Sequence, residues 1–361
     1  MRTTKRLATN LIVHTSTKES TLCSRDHTVY RLDLADHTLS KLCQLPAKAP
    51  GLVGWLKHKL ARSRLRQWLK PQLGIEHLIE TADGNIVMVY DRIYLYRPNQ
   101  GTTYASVVPT SHIPDLVGPL RGGLTSHPVS GAVYFGEYLN NHSCPVRVIK
   151  IDPASQQADI CWQFARDDIK HIHAIRYDPY RNRLWITTGD ADHESAFYYT
   201  DDEFQTVYKF AGGDQSWRAI SLLFYPDCME WGMDAGKDAP ADAINHIYRY
   251  HFASGQRERI ATIGNPAYAA VPCADGAAIM ATTFEPGRQQ ATPEQAALWF
   301  RSKDGHWQEL LALDYQDSQM ATVGRYGMIY LPSGTLPANQ VLFTPVNCAQ
   351  SHLHCYALTL D

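Results

Sequence analysis

The 361-residue chain reads as an all-β protein, a seven-bladed β-propeller, and three observations predict it. A motif of alternating strand, tight polar turn and second strand recurs seven times. Its period is near fifty residues, the size of a four-stranded blade. The composition, with 20 Tyr, 8 Trp, 23 Gly and 20 Pro, favours short strands joined by many turns.

The copies are TVYRLDLADHTLSKL from Thr28, IYLYRPNQGTTYASV from Ile93, VRVIKIDPASQQADI from Val146, AFYYTDDEFQTVYKF from Ala196, HIYRYHFASGQRERI from His246, ALWFRSKDGHWQELL from Ala297 and HCYALTLD from His354. Aligned on Arg31, Arg97, Lys150, Thr200, Arg249, Arg301 and Ala357, they step by 66, 53, 50, 49, 52 and 56 residues. Each is an outer hairpin, and two further apolar runs precede it, such as HIHAIRYD and RLWITTGD before the fourth. Units of this size fill nearly the whole chain, residues 1–361, as a single domain. A sandwich followed by a helical domain would not space its hairpins so evenly. Six blades with remnants is the alternative count. The seventh unit ends without a fourth strand, and residues 10–14 are expected to supply it and seal the ring.

The one long step holds an insertion, residues 50–71, PGLVGWLKHKLARSRLRQWLKP. Prolines bracket a helix-forming interior with six basic residues and no acidic one. Leu52, Leu56 and Leu60 share a face, but Leu65, Trp68 and Leu69 drift from it. It reads as a solvated basic helix packed on the propeller, with a lid over an anionic ligand or peripheral contact with an anionic membrane as alternatives.

A net charge of -2 excludes a globally basic nucleic-acid binder. No apolar run approaches the roughly 20 residues of a membrane span. The N-terminal apolar run is too short for a signal core, so the protein is expected to be cytoplasmic. Eight cysteines fall at no CxxC spacing and read as buried small hydrophobes.

In a propeller blade the strands run a to d outward from the axis. The d-to-a and b-to-c connections then emerge on one face and the others on the opposite face. Arg121, His171, His173, Gln215, Arg218, Tyr268, Arg325 and Tyr326 lie at the starts of inner strands. Glu137, Tyr138, Asp190, Asp192, His193, Glu194, Asp234 and Glu285 lie in b-to-c loops. Both sets map to one face around the channel mouth, where propellers place their sites. The turns at Asp36, Asp152, Asp202 and Asp304 map to the other face and read as structural.

His171 and His173, two apart on a strand, point the same way. They are acid/base candidates, and a divalent metal on imidazole and carboxylate ligands is a lesser alternative to a cofactor-free site. Arg121, Arg218 and Arg325 would suit a carboxylate, sulfate or phosphate. Glu137, Asp190 and Glu194 supply carboxylates for glycosidase chemistry. A Tyr/His pair with an arginine would equally serve elimination next to a uronate. Tyr138, Gln215, Asp234 and Tyr268 complete the candidate substrate contacts. Trp185, Trp217 and Trp231 read mostly as core, with one available to stack on a sugar.

RSKDGHWQE from Arg301 resembles an Asp-box turn, with Ser302, Asp304, Gly305 and Trp307 in place, and YTDDEFQT from Tyr199 resembles a weaker copy. The middle third is similar to sialidase-like (BNR/Asp-box) propellers. That resemblance implies the fold and an acidic glycan partner, sialic- or uronic-acid-containing, cleaved by glycosidic hydrolysis or β-elimination. No FRIP-like motif accompanies it. The contrasting expectation is a non-catalytic propeller that binds a glycan or protein in a polysaccharide-related assembly.

Overall fold

The computed structural model describes residues 3–47, 73–142, 144–320 and 324–360, and the insertion at 50–71 lies outside them. Seven sheets are arranged around one axis. Their innermost strands are Ile12–Ser16, His77–Glu80, Thr125–Ser126, His171–Asp178, Leu222–Phe224, Ala267–Pro272 and Met328–Tyr330. Each continues outward through antiparallel neighbours, so the count is seven and the six-bladed alternative falls away.

Closure differs from the expectation in its details. The outer strand of blade seven is Thr4–Thr9, paired with His354–Thr359, whereas Ile12–Ser16 is the inner strand of blade one. The run LIVHTS is buried throughout, which suits an inner strand, and TKRLAT is mostly exposed, which suits an edge. A short strand, Ser333–Gly334, pairs in parallel with Thr15–Ser16, and Leu336 bridges to Cys273. This segment joins blades six, seven and one beneath the channel, a linkage the repeat pattern did not announce.

The core is divided by the blades. Seven apolar clusters each fill one blade-to-blade interface, as with Trp185, Phe197, Trp217 and Trp231 between blades four and five. Trp217 stacks on Trp231 at 5.2 Å and is covered by the Arg257 guanidinium at 4.4 Å. Trp185 and Trp231 are fully buried, so none of the three presents a ring to a sugar. Six cysteines are buried, and none of the eight is joined in a disulfide among the described residues.

The basic residues that marked the repeat now have a physical role. On third strands they reach the neighbouring blade: Arg31 to Glu80 at 2.6 Å, Lys150 to Glu203 at 3.1 Å and Arg301 to Glu230 at 2.9 Å. Glu230, fully buried, also receives Arg249 and the Trp307 indole N–H. The hairpin aspartates act as turn caps. Asp36 accepts from the Thr38 amide at 2.7 Å, and Asp202 accepts from the Thr206 amide at 2.9 Å.

Candidate functional site

All seven inner strands line a central cavity of about 780 Å³ with a largely apolar wall. Tyr138, Tyr177, Tyr268, Tyr326 and Tyr330 line it, together with Arg121 and Arg176. Beside this cavity, meeting it through Tyr138 and Tyr268, stands a polar cluster built from blades three to six.

The cluster begins on the His171–Asp178 strand. His171 and Ile172 pair with Gly189 and Thr188, but the register slips between Ile172 and Ala174, leaving His173 in a bulge. Bulges re-aim a side chain, and here both imidazoles converge. His171 Nε2 is 3.1 Å from His173 Nε2 and 3.3 Å from Asp190 Oδ1, and His173 Nε2 is 3.4 Å from the same oxygen. Burial lowers His173 to about 4. Tyr138 stacks on His171 with ring centres 4.1 Å apart.

Asp190 is the hub. Its Oδ1 takes Arg218 Nη2 at 2.8 Å and its Oδ2 takes Lys170 Nζ at 2.8 Å. Arg218 also reaches Asp238 at 3.0 Å, and its Nε lies 3.6 Å from Asp234 Oδ2. Burial would lower Arg218, but the charges of Asp234, Asp190 and Asp238 carry it upward instead. Gln215 donates to the Asp190 carbonyl at 2.8 Å and to Asp192 at 2.9 Å. Asp234 is buried beside His173 Nδ1 at 3.6 Å, and burial pushes its carboxyl well above the usual range. Next to it, the Tyr268 hydroxyl donates to Glu285 at 2.5 Å, and burial raises that phenol strongly.

Other candidates stand apart from this hub. Glu137 is fully buried in a two-pronged pair with Arg147 and also accepts the Val117 amide at 2.9 Å. Glu194 accepts the amides of Asp190 and Ala191 at 3.1 and 3.2 Å and faces His142 at 3.0 Å, so it shapes the loop that carries Asp190. The arginines Arg121, Arg218 and Arg325 share no partner among the described residues. Arg121 crosses the channel from blade three to the carbonyls of Glu76 (2.8 Å) and Val13 (3.4 Å) and lies 3.6 Å over the Tyr330 ring. Arg325 is exposed.

Lys170, Asp238 and Arg176 escaped the sequence reading. Lys170 adjoins the HIH run and Asp238 shares the loop of Asp234, so loop membership could have found both. Arg176 looked like an ordinary strand residue of HIHAIRYD. It donates to the Ile220 carbonyl at 3.4 Å and to Ser221 Oγ at 3.3 Å, and burial lowers it to about 10. Neither Arg121 nor Arg176 has a carboxylate within 4 Å among the described residues, so two guanidinium groups in the channel lack a paired counter-charge.

No protein-family model matches the chain, and no curated protein matches it. Solved structures do resemble it. A GH74 enzyme from Niastella koreensis matches 85% of this chain at 14% identity with a TM-score of 0.54. This chain spans under half, 46%, of that enzyme's length. An oligogalacturonate lyase from Vibrio parahaemolyticus is 13% identical over 99% of this chain and 93% of its own, with a TM-score of 0.58. An oligogalacturonate lyase in complex with manganese is 12% identical over the same shares, 99% and 93%, with a TM-score of 0.60. None of these three is a sialidase, and the closer kinship suggested by the Asp-box-like turns stays a resemblance. At such identities the likeness establishes one thing, that the chain has the fold of a β-propeller.

Proposed function

We propose that this chain is a carbohydrate-active propeller that cleaves an acidic glycan, and that it does so by β-elimination. Elimination next to a uronate needs three things: a base for the proton α to the carboxylate, an acid for the departing oxygen and positive charge on the carboxylate. The Cα–H bond breaks, its electrons form a C=C bond, and the glycosidic C–O bond breaks as its oxygen gains a proton. The observation that carries this reading is the channel itself, lined by two tyrosines in distinct settings and by Arg121 and Arg176, neither of which has a carboxylate within 4 Å among the described residues. Tyr268, hydrogen-bonded to Glu285, is placed to take a proton while passing its own to that carboxylate. Tyr138, kept protonated by burial and held by its stack on His171, is the acid. Arg121 and Arg176 receive the uronate. Hydrolysis is less well served, because both Glu137 oxygens are taken by Arg147 and Glu194 Oε2 is held by two loop amides.

The test is a screen of uronic- and sialic-acid oligosaccharides, following reducing ends and the ultraviolet absorbance of an unsaturated product. Both signals should rise together on a uronate substrate. Tyr138→Phe and Tyr268→Phe should each lose on the order of 10²-fold or more in kcat, and Arg176→Met should raise KM. Reducing ends without the absorbance would mean hydrolysis and reject elimination. A non-catalytic glycan-binding reading is favoured by one observation, the mutual neutralisation of Asp190, Lys170 and Arg218. It would show as glycan binding in calorimetry with no turnover on either substrate class.

A further inference from the structure

His171 and His173 have their outer nitrogens fixed by backbone. His171 Nδ1 lies 2.6 Å from the Leu139 carbonyl, and His173 Nδ1 lies 3.3 Å from the Ala219 carbonyl. A carbonyl oxygen carries no proton, so each Nδ1 must be the donor. In its neutral form, each ring then presents a bare lone pair at Nε2. These lone pairs face one another at 3.1 Å, with Asp190 Oδ1 at 3.3 and 3.4 Å. Arg218 Nη2 meets Asp190 Oδ1 at 2.8 Å but donates to neither Nε2, so the two imidazole lone pairs still repel each other unless a cation sits between them. All three donor atoms lie within 4.8 Å of one another, and both histidines are 1% exposed.

We infer that His171 Nε2, His173 Nε2 and Asp190 Oδ1 form a site for a divalent first-row transition ion. Two imidazoles and one carboxylate, with further positions left open, are a donor set suited to such ions. The outer shell has the arrangement that metal-binding histidines use: each Nδ1–H is given to a carbonyl, which fixes tautomer and ring plane. Asp190 is oriented in the same way, by Arg218 on Oδ1 and Lys170 on Oδ2. The glutamate that caps the Asp190 amide, Glu194, holds the loop end of the site in register. Asp190 is the one member at the surface of the cluster, with its side chain 13% exposed, and gives the ion its route in. The site stands independently of the glycan reading, because its donor atoms, apart from the Tyr138 stack on His171, are not those assigned to proton transfer.

The test uses the full chain with Co²⁺ and Zn²⁺ as probes and no glycan present. Calorimetry should give one Co²⁺ per chain, with visible absorption bands of nitrogen and oxygen ligation. Zn²⁺ should raise the urea midpoint of the wild type. His173→Gln and Asp190→Asn should each weaken Co²⁺ binding at least ~10-fold and abolish the midpoint shift, whereas His112→Gln, at an exposed histidine, should change neither. A wild-type chain that binds no stoichiometric Co²⁺ would overturn the inference. So would binding unaffected by His173→Gln and Asp190→Asn, or weakened equally by His112→Gln. A ¹⁵N spectrum showing a protonated imidazolium at His171 or His173 under saturating Co²⁺-free Zn²⁺ would overturn it as well, since a shared proton would then fill the gap. Metal binding without turnover on any glycan leaves this site standing and removes the enzymatic reading. Turnover without metal binding does the reverse.

Discussion

Replacing Glu137 by glutamine separates a supporting carboxylate from a reacting one. Glu137 accepts Arg147 Nε at 2.6 Å, Arg147 Nη2 at 2.5 Å and the Val117 amide at 2.9 Å, all with its side chain fully buried. Glutamine keeps the shape but offers one oxygen where two were used, and its amide would point an N–H at another donor. Breaking one side of a buried pair is worth about 3–5 kcal/mol. Arg147 is 14% exposed and keeps the carbonyls of Pro114 and Asp115, so the lower end applies, about 3 kcal/mol. The assay is urea unfolding read by far-ultraviolet circular dichroism, with turnover and Co²⁺ affinity measured on the folded variant. The expected result is a clear fall in the urea midpoint with both activities retained. A midpoint unchanged within about 0.5 kcal/mol, together with lost turnover, would refute the assignment and return Glu137 to the reaction.

Acid should weaken the fold from the blade-one and blade-two side of the channel. Burial, with the Arg121 charge, lowers His77 to about 3 and His14 well below its usual value. The unfolded chain binds more protons than the folded one between about pH 6.5 and 3. Stability should therefore be full above that window and fall as pH drops through it, by up to about 1.4 kcal/mol per pH unit per histidine; a urea-midpoint series flat from pH 7 to 4.5 would contradict this. Glu230→Ala leaves Arg249, Arg301 and the Trp307 N–H without their shared acceptor, so a loss of about 3–5 kcal/mol is expected in the same assay. In Gly189→Ala the new Cβ would stand 2.7 Å from His173 Cε1 and 3.0 Å from Arg218 Cγ. Co²⁺ affinity should fall about 10-fold while the circular dichroism spectrum is kept, and unchanged affinity would mean that the imidazole is not held where described.

Much of this architecture was legible because a propeller repeats its chemistry. The third-strand position occupied by Arg31, Lys150, Arg249 and Arg301 marked the period, and three of these four reach carboxylates in a neighbouring blade. The face map also carried over, since strand direction alone decides on which side a connection emerges. What escaped was information carried by side-chain contacts rather than by position in the repeat. Glu137 and Asp190 look alike in their loops, and only the arrival of Arg147 at one and of two imidazoles at the other separates them. Arg121, Arg218 and Arg325 occupy equivalent places before inner strands, yet their side chains lead to different partners. The slip at His173 is likewise invisible in HIHAI, because a bulge depends on the strand opposite as much as on its own residues.

The pairing of Thr4–Thr9 with His354–Thr359 has a mechanical consequence. Thr4 sits opposite Leu358 and Thr9 opposite His354, so the outer ends of both strands emerge at the same end of the ladder. Tension applied to the two ends would peel this pair one hydrogen bond at a time rather than shear it as a block. Blade seven would therefore open at low force, while the other six blades, whose outer strands come from the same stretch of chain as their inner ones, stay closed. The same adjacency means that a loop of about two to five residues could join Leu358 to Thr4. The ring would then be cut elsewhere without losing a strand.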